Sequence, residues 1–145
     1  MIKKLFPLVA AVVGLMAGAP AAAAQEYLVI VNDANTVETV NRDELSQIFL
    51  KRVSQWPNGN PVVPVDLSES SSTREAFSQA VHGRPVSAIE AYWQRQIFSG
   101  RGVPPVEKSA ETEVIEYVRT NPHAVGYVRN GSALGAGVRA VRVTN

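Results

Sequence analysis

Ser68-Glu69-Ser70-Ser71-Ser72-Thr73-Arg74-Glu75-Ala76-Phe77 is the stretch on which the reading of this chain turns. Ahead of it, Val62-Val63-Pro64-Val65 is an apolar run of strand type. Behind it, Ala76, Phe77, Ala80 and Val81 recur at helical spacing. The segment therefore marks a passage from strand through loop to helix. Four hydroxyls (Ser70, Ser71, Ser72 and Thr73) stand at the helix start, and Glu75 follows Ser72 at the spacing of a capping box. The first turn of a helix leaves backbone N–H groups without intrahelical acceptors and carries the positive end of the helix dipole. Hydroxyl donors added to such an end suit a small oxyanion such as phosphate or sulfate. The same residues also fit a plainer role, in which Ser72 caps the helix and its neighbours are solvated. Local sequence leaves both readings open.

Working outward, Tyr27-Leu28-Val29-Ile30-Val31 reads as a buried strand and residues 32–39 as a polar loop. Asn41 with Glu44 opens a helix whose apolar face uses Leu45, Ile48 and Phe49. Pro57-Asn58-Gly59 is a turn, and the strand that follows is expected near a sheet edge, because Pro64 has no N–H for a ladder. Ser87 with Glu90 starts a helix bearing Ile89, Tyr92, Trp93, Ile97 and Phe98, and residues 99–102 end it. Ser109 caps a further helix, stopped by Asn121-Pro122. Ala124 to Val128 is a third strand and Val138 to Val143 a fourth. Strands alternating with helices predict an α/β fold, a mixed sheet covered by helices.

Residues 1–24 read as a cleavable export signal. Lys3 and Lys4 form its basic start, an apolar stretch runs to Ala19, and Ala22-Ala23-Ala24 precedes Gln25. Residues 25–145 then form one domain with one core. The chain has no Cys, which excludes disulfides, thiol chemistry and Cys-ligated metals. Loss of the two leader lysines turns a net charge of +1 slightly acidic, and the basic residues form no stripe, so nucleic acid is not an expected partner. His82 and His123 stand in no metal-ligand spacing, and no Gly-x-Ser-x-Gly elbow or nucleophilic triad can be read from spacing. No metal, cofactor or enzymatic role is expected. Trp56, Trp93, Phe49, Phe77 and Phe98 read as core or interface anchors.

The order of elements resembles the phosphate-binding periplasmic proteins of ABC transporters, a branch of the type 2 periplasmic-binding-protein fold. Three landmarks between about Asn41 and Val128 carry the resemblance. The segment from Leu45 to Trp56, with Phe49-Leu50-Lys51, looks like the family's helix, its Phe/Tyr-Leu-Gly-Lys run and the Trp after it. Ser70 to Thr73 stands where the family has Gly-Ser-Gly-Thr, and Tyr117 to Val128 resembles the family's ending Pro-Gly-Ala-Ile-Gly-Tyr-Val. The resemblance implies that the hydroxyls of Ser71 and Thr73 and the backbone of Ser72 hold phosphate. Two departures stand out. Leu67 occupies the place of the family's phosphate-binding Arg, with Arg74 the nearby substitute, and both loop glycines are Ser.

Family members have two lobes, and this chain is similar to the second alone, a single-lobe short form. The resemblance thus implies a periplasmic phosphate or oxyanion binder, with Ser70, Ser71, Ser72, Thr73 and Arg74 as the ligand-binding residues, serving a membrane permease or sensor. One lobe leaves a face that a second copy or a membrane partner could cover, with Trp56, Tyr92, Trp93 and Tyr127 as available aromatics. The alternative is an envelope protein-interaction module that kept the fold and lost the ligand.

Overall fold

The computed structural model describes residues 25–145, and the expected export signal lies outside the described residues. Strand β1, Tyr27–Asn32, comes from the first apolar run and lies in the middle of the sheet. A short strand β2, Thr39–Asn41, leads into helix α1, Arg42–Phe49. Asn41 caps α1 as expected, its side chain accepting from the Asp43 N–H at 2.8 Å, and Leu45, Ile48 and Phe49 are buried. Strand β3, Val63–Leu67, runs into helix α2, Ser72–Phe77, which continues as a π-helical segment, Ser78–His82. Helix α3, Val86–Phe98, strand β4, Val106–Lys108, helix α4, Glu111–Thr120, and strands β5, Ala124–Arg129, and β6, Val138–Thr144, complete the chain.

The six strands form one mixed sheet in the order β2-β6-β1-β5-β3-β4. β1 pairs antiparallel with both β5 and β6, whereas β3 runs parallel to β4 and β5, and β2 parallel to β6. β3 is therefore not an edge strand. Pro64 is accommodated because β4 pairs with β3 only from Val65 onward, so no neighbour on that side asks Pro64 for an N–H. Two strands went unread in the sequence, β2 and β4. Each is three residues long, too short for any period to show.

Successive residues of a strand face opposite sides of the sheet, and β5 shows how both sides are covered. Tyr127 stacks on Phe77 with ring centroids 3.8 Å apart and packs against Phe49 at 5.6 Å, so α1 and α2 cover that face. Its neighbour Gly126 faces Val114 and Val118 of α4 on the other. A helix of valines can approach the sheet this closely because position 126 has no Cβ. An added Cβ would lie 2.7 Å from Val114 Cγ1 and 2.9 Å from Val65 Cγ1. α3 packs on the π-helical segment through Val86, Ile89 and Trp93 and lies outside the main core. Phe98, at the end of α3, is 95% exposed and Ile97 54%, so the expected inward face stops at Trp93.

Branched Val side chains on two walls leave the G126A methyl no rotamer to displace. G126A is expected to lower unfolding free energy by about 1–3 kcal/mol in urea titration. An unchanged midpoint would mean that α4 is free to move away from the sheet.

Candidate functional site at the start of helix α2

Three parallel strands, β5, β3 and β4, lie side by side and end on the same edge of the sheet. In open α/β sheets ligands sit outside the carboxyl ends of such strands. The chain leaving β3 forms the hydroxyl cluster, that leaving β4 reaches Glu111 at the start of α4, and β5 ends at Arg129 beside Asn130. These pieces, far apart in sequence, meet around Ser72 and Thr73.

The cap of α2 is one residue earlier than the sequence pattern suggests. Ser71, not Ser72, has the extended cap conformation, and its Oγ accepts from the Arg74 N–H at 3.1 Å. Glu75 does not complete a capping box: its carboxylate accepts from Gln79 and from the Val86 N–H at the start of α3. With the Arg74 N–H taken by the cap, Ser72 and Thr73 carry the N–H groups that the first turn leaves without intrahelical acceptors. Ser70 and Ser72 are exposed, and Ser70 Oγ shares a 3.3 Å hydrogen bond with Ser68 Oγ. Thr73 is buried and donates its hydroxyl proton to Glu111 Oε1 at 2.6 Å, while Ser132 Oγ approaches the other carboxylate oxygen at 3.4 Å. The structure thus brings Ser71, Ser72 and Thr73 together, with Ser70 on the solvent side of the turn.

Arg74 lies apart from the other four. Its side chain turns inward and is 3% exposed. Nη1 donates to the Leu67 carbonyl at 2.8 Å and to Glu107 at 2.7 Å, Nη2 donates to Glu90 at 2.6 Å, and Nε lies 3.6 Å from Asp66. Burial works against the Arg74 charge, but Asp66, Glu107 and Glu90 outweigh it and hold the guanidinium more firmly protonated than usual. Burial also pushes the Asp66 carboxyl up, against the pull of Arg74 and of the Tyr127 hydroxyl that donates to it. The Tyr127 hydroxyl is raised well above its ordinary range by burial and by the facing Asp66. Leu67, in the place where the resemblance puts an Arg, is buried in the core.

Two other arginines flank the helix start and were missed in the sequence. Arg129 and Asn130 border a concavity of about 330 Å³ with Glu26, Ser72 and Thr73. On the other side of Ser72, Arg42 borders a groove of about 690 Å³ with Tyr27, Glu75 and Gln79. Arg42 Nη2 donates to Asn145, whereas its buried Nε has no partner among the described residues. The one signal for Arg129 was positional, as the first charged residue after an apolar strand. Nothing local marked Arg42, which reaches the site only through the packing of α1 beside α2.

The family described as PBP superfamily domain matches residues 21–144. The chain belongs to that family. Among solved structures, the fold is similar to an ABC-type phosphate transport receptor from Vibrio cholerae, at 20% identity and TM-score 0.63 over 81% of this chain and 46% of that one. A Clostridium perfringens protein solved with bound phosphate matches at 20% identity and TM-score 0.64, over 81% and 44%. PstS from Borrelia burgdorferi matches at 17% and 0.57, over 81% and 47%. The chain spans less than half the length of each, so the likeness is that of one lobe-sized α/β unit. No curated protein matches the sequence.

Removing the Arg74 guanidinium would leave Asp66, Glu90 and Glu107 facing one another around a void. R74M is expected to lose about 3–5 kcal/mol of unfolding free energy, the range for breaking a buried ion pair. A loss below about 1 kcal/mol in chemical denaturation would show that this network does not hold the fold.

Proposed function

We propose that this chain binds phosphate at the start of α2 as an exported, non-enzymatic member of the PBP superfamily. The observation that carries the reading is the convergence of three parallel strand ends on two helix-start N–H groups. Ser70, Ser71 and the Ser72 and Thr73 backbone supply donors, and Arg129 supplies the positive charge that Leu67 cannot. Arg74 acts from behind, fixing the turn between Leu67 and the helix. Glu111 accepts from a protonated ligand, and hydrogen phosphate carries a proton where sulfate does not. The phosphate-named fold neighbours support the same ligand class. A half-open site should bind weakly, with a dissociation constant on the order of 0.1–1 mM.

Amide NMR with inorganic phosphate tests this directly. Saturable shifts are expected at residues 70–74, weakened at least about tenfold in S71A/T73A and favouring phosphate over sulfate in a manner lost in E111Q. Loss of the Ser71 cap costs about 1 kcal/mol of its own, so the variant is compared at matched folded fraction. No shift at 10 mM phosphate would leave the second reading, an envelope interaction module. The exposed Phe98, Ile97, Val103 and Val106 favour that alternative. Of the aromatics expected to be available to a partner, Trp56, Trp93 and Tyr127 are buried, which moves any apolar docking face to the far end of α3.

The proposed route of export is the leader at residues 1–24, delivering the domain to the periplasm to serve a permease or sensor. Mass spectrometry of the envelope fraction is expected to find a mature N-terminus within a residue or two of Gln25. Protein retaining Met1 in the cytoplasm would rule this out.

A further inference from the structure

The opposite end of the α2 helical column carries a second cluster of polar and charged groups. His82 closes the π-helical segment, roughly 15 Å from Ser72 at a helical rise of about 1.5 Å per residue. Around it, Ser46 and Gln47 of α1, Arg52 after α1, Arg84 after the turn, and Tyr92 of α3 enclose a cavity of about 200 Å³. Two stretches far apart in sequence, residues 46–52 and 82–92, thus contribute to one small space.

Its charge is one-sided. Arg52 and Arg84 both line it, and no carboxylate does. The ion pairs among the described residues involve Arg74 and Arg119, and neither Arg52 nor Arg84 joins one. One cation is held by its side chain and the other by its backbone. The Arg52 guanidinium lies 5.3 Å from the Tyr92 ring centroid, the geometry of a cation–π contact. The backbone carrying Arg84 is held by Ser78, whose Oγ donates to the Arg84 carbonyl at 2.7 Å. Ser46 Oγ and His82 Nδ1 share a 2.8 Å hydrogen bond, and His82 stands edge-on to Phe77 at 5.8 Å. Two arginines lining one small cavity without an acid between them repel, and an anion placed there relieves that repulsion.

We infer that this cavity, lined by Arg52, Arg84, His82 and Ser46, is a second anion site that takes a compact dianion. At about 30 Å³ per water-sized group, it holds about six or seven non-hydrogen atoms. That is the size of sulfate or a short dicarboxylate such as malonate, and too small for a nucleotide. Binding there is weak, because both arginines are largely exposed and screened, with a dissociation constant on the order of 1–10 mM. His82 adds no competing charge at neutral pH, since burial together with Arg74 and Arg84 lowers its pKa to about 4.

The test follows the Arg52 and Arg84 Nε–Hε signals and the His82 ring by NMR while sulfate, malonate, acetate and chloride are added at matched ionic strength. Saturable shifts with sulfate and malonate are expected, at least about fivefold tighter than with acetate. R52Q/R84Q should abolish them, and S71A/T73A should leave them within about twofold. Shifts that stay linear, or are equal for all four salts, would show two solvated cations and no site. Equally, saturation at residues 70–74 with none at Arg52 and Arg84 would overturn this inference and leave the phosphate site standing.

Discussion

Arg74 is the cation buried at the point where strand, loop and helix meet. A guanidinium taken out of water at 3% exposure persists only if it is well partnered, and here Nη1 and Nη2 are hydrogen-bonded while Nε lies 3.6 Å from Asp66. Those four partners come from three elements: Asp66 and the Leu67 carbonyl on β3, Glu107 on β4 and Glu90 on α3. The interaction therefore fixes the β3–β4 pair, the start of α2 and the position of α3 together. α3 lies outside the main apolar core, and the Arg74–Glu90 pair is its polar tie to that core. Of the three carboxylates, Glu90 and Glu107 keep contact with solvent, whereas Asp66 is buried and burial raises its pKa.

The network also sets what the helix start can offer. An Arg committed to three acids cannot reach an anion without leaving them unpaired. In the proposed site, the groups left to face an anion are backbone N–H and hydroxyl, with Arg129 and Arg42 on the rim. Recognition at the proposed site would rest mainly on hydrogen-bond geometry. Glu111 sharpens the point, because a carboxylate this close to Thr73 penalises any fully deprotonated anion and rewards one with a proton to give.

Most of the sheet was legible in the sequence, since β1, β5 and β6 are apolar runs bounded by turn residues, and α1 announced itself through Asn41. Ser71 rather than Ser72 capping α2 was not decidable from a run of three serines, each able to cap. Pro64 pointed correctly to a place near an edge, since β3 is second from the end of the sheet and its outer neighbour β4 pairs with it only from Val65 onward. Ile97 and Phe98 continue a helical apolar pattern, yet nothing packs beyond Trp93, and a pattern cannot report the absence of a neighbour. Of the site, the hydroxyl cluster was visible because it is contiguous. Arg129, Arg42 and Glu111 were not, because only parallel pairing of β3, β4 and β5 brings their surroundings together.

The sheet order has a consequence for how the chain acquires its structure. β1 is the first strand made, and both of its neighbours, β5 and β6, are the last two. Until those arrive, the most apolar strand of the protein has no edge to pair with, and no N-terminal half can condense by itself. Contacts of this sequence separation make folding slow and nearly all-or-none. A polypeptide so arranged gains no native pairing for its first strand until nearly the whole chain has been made.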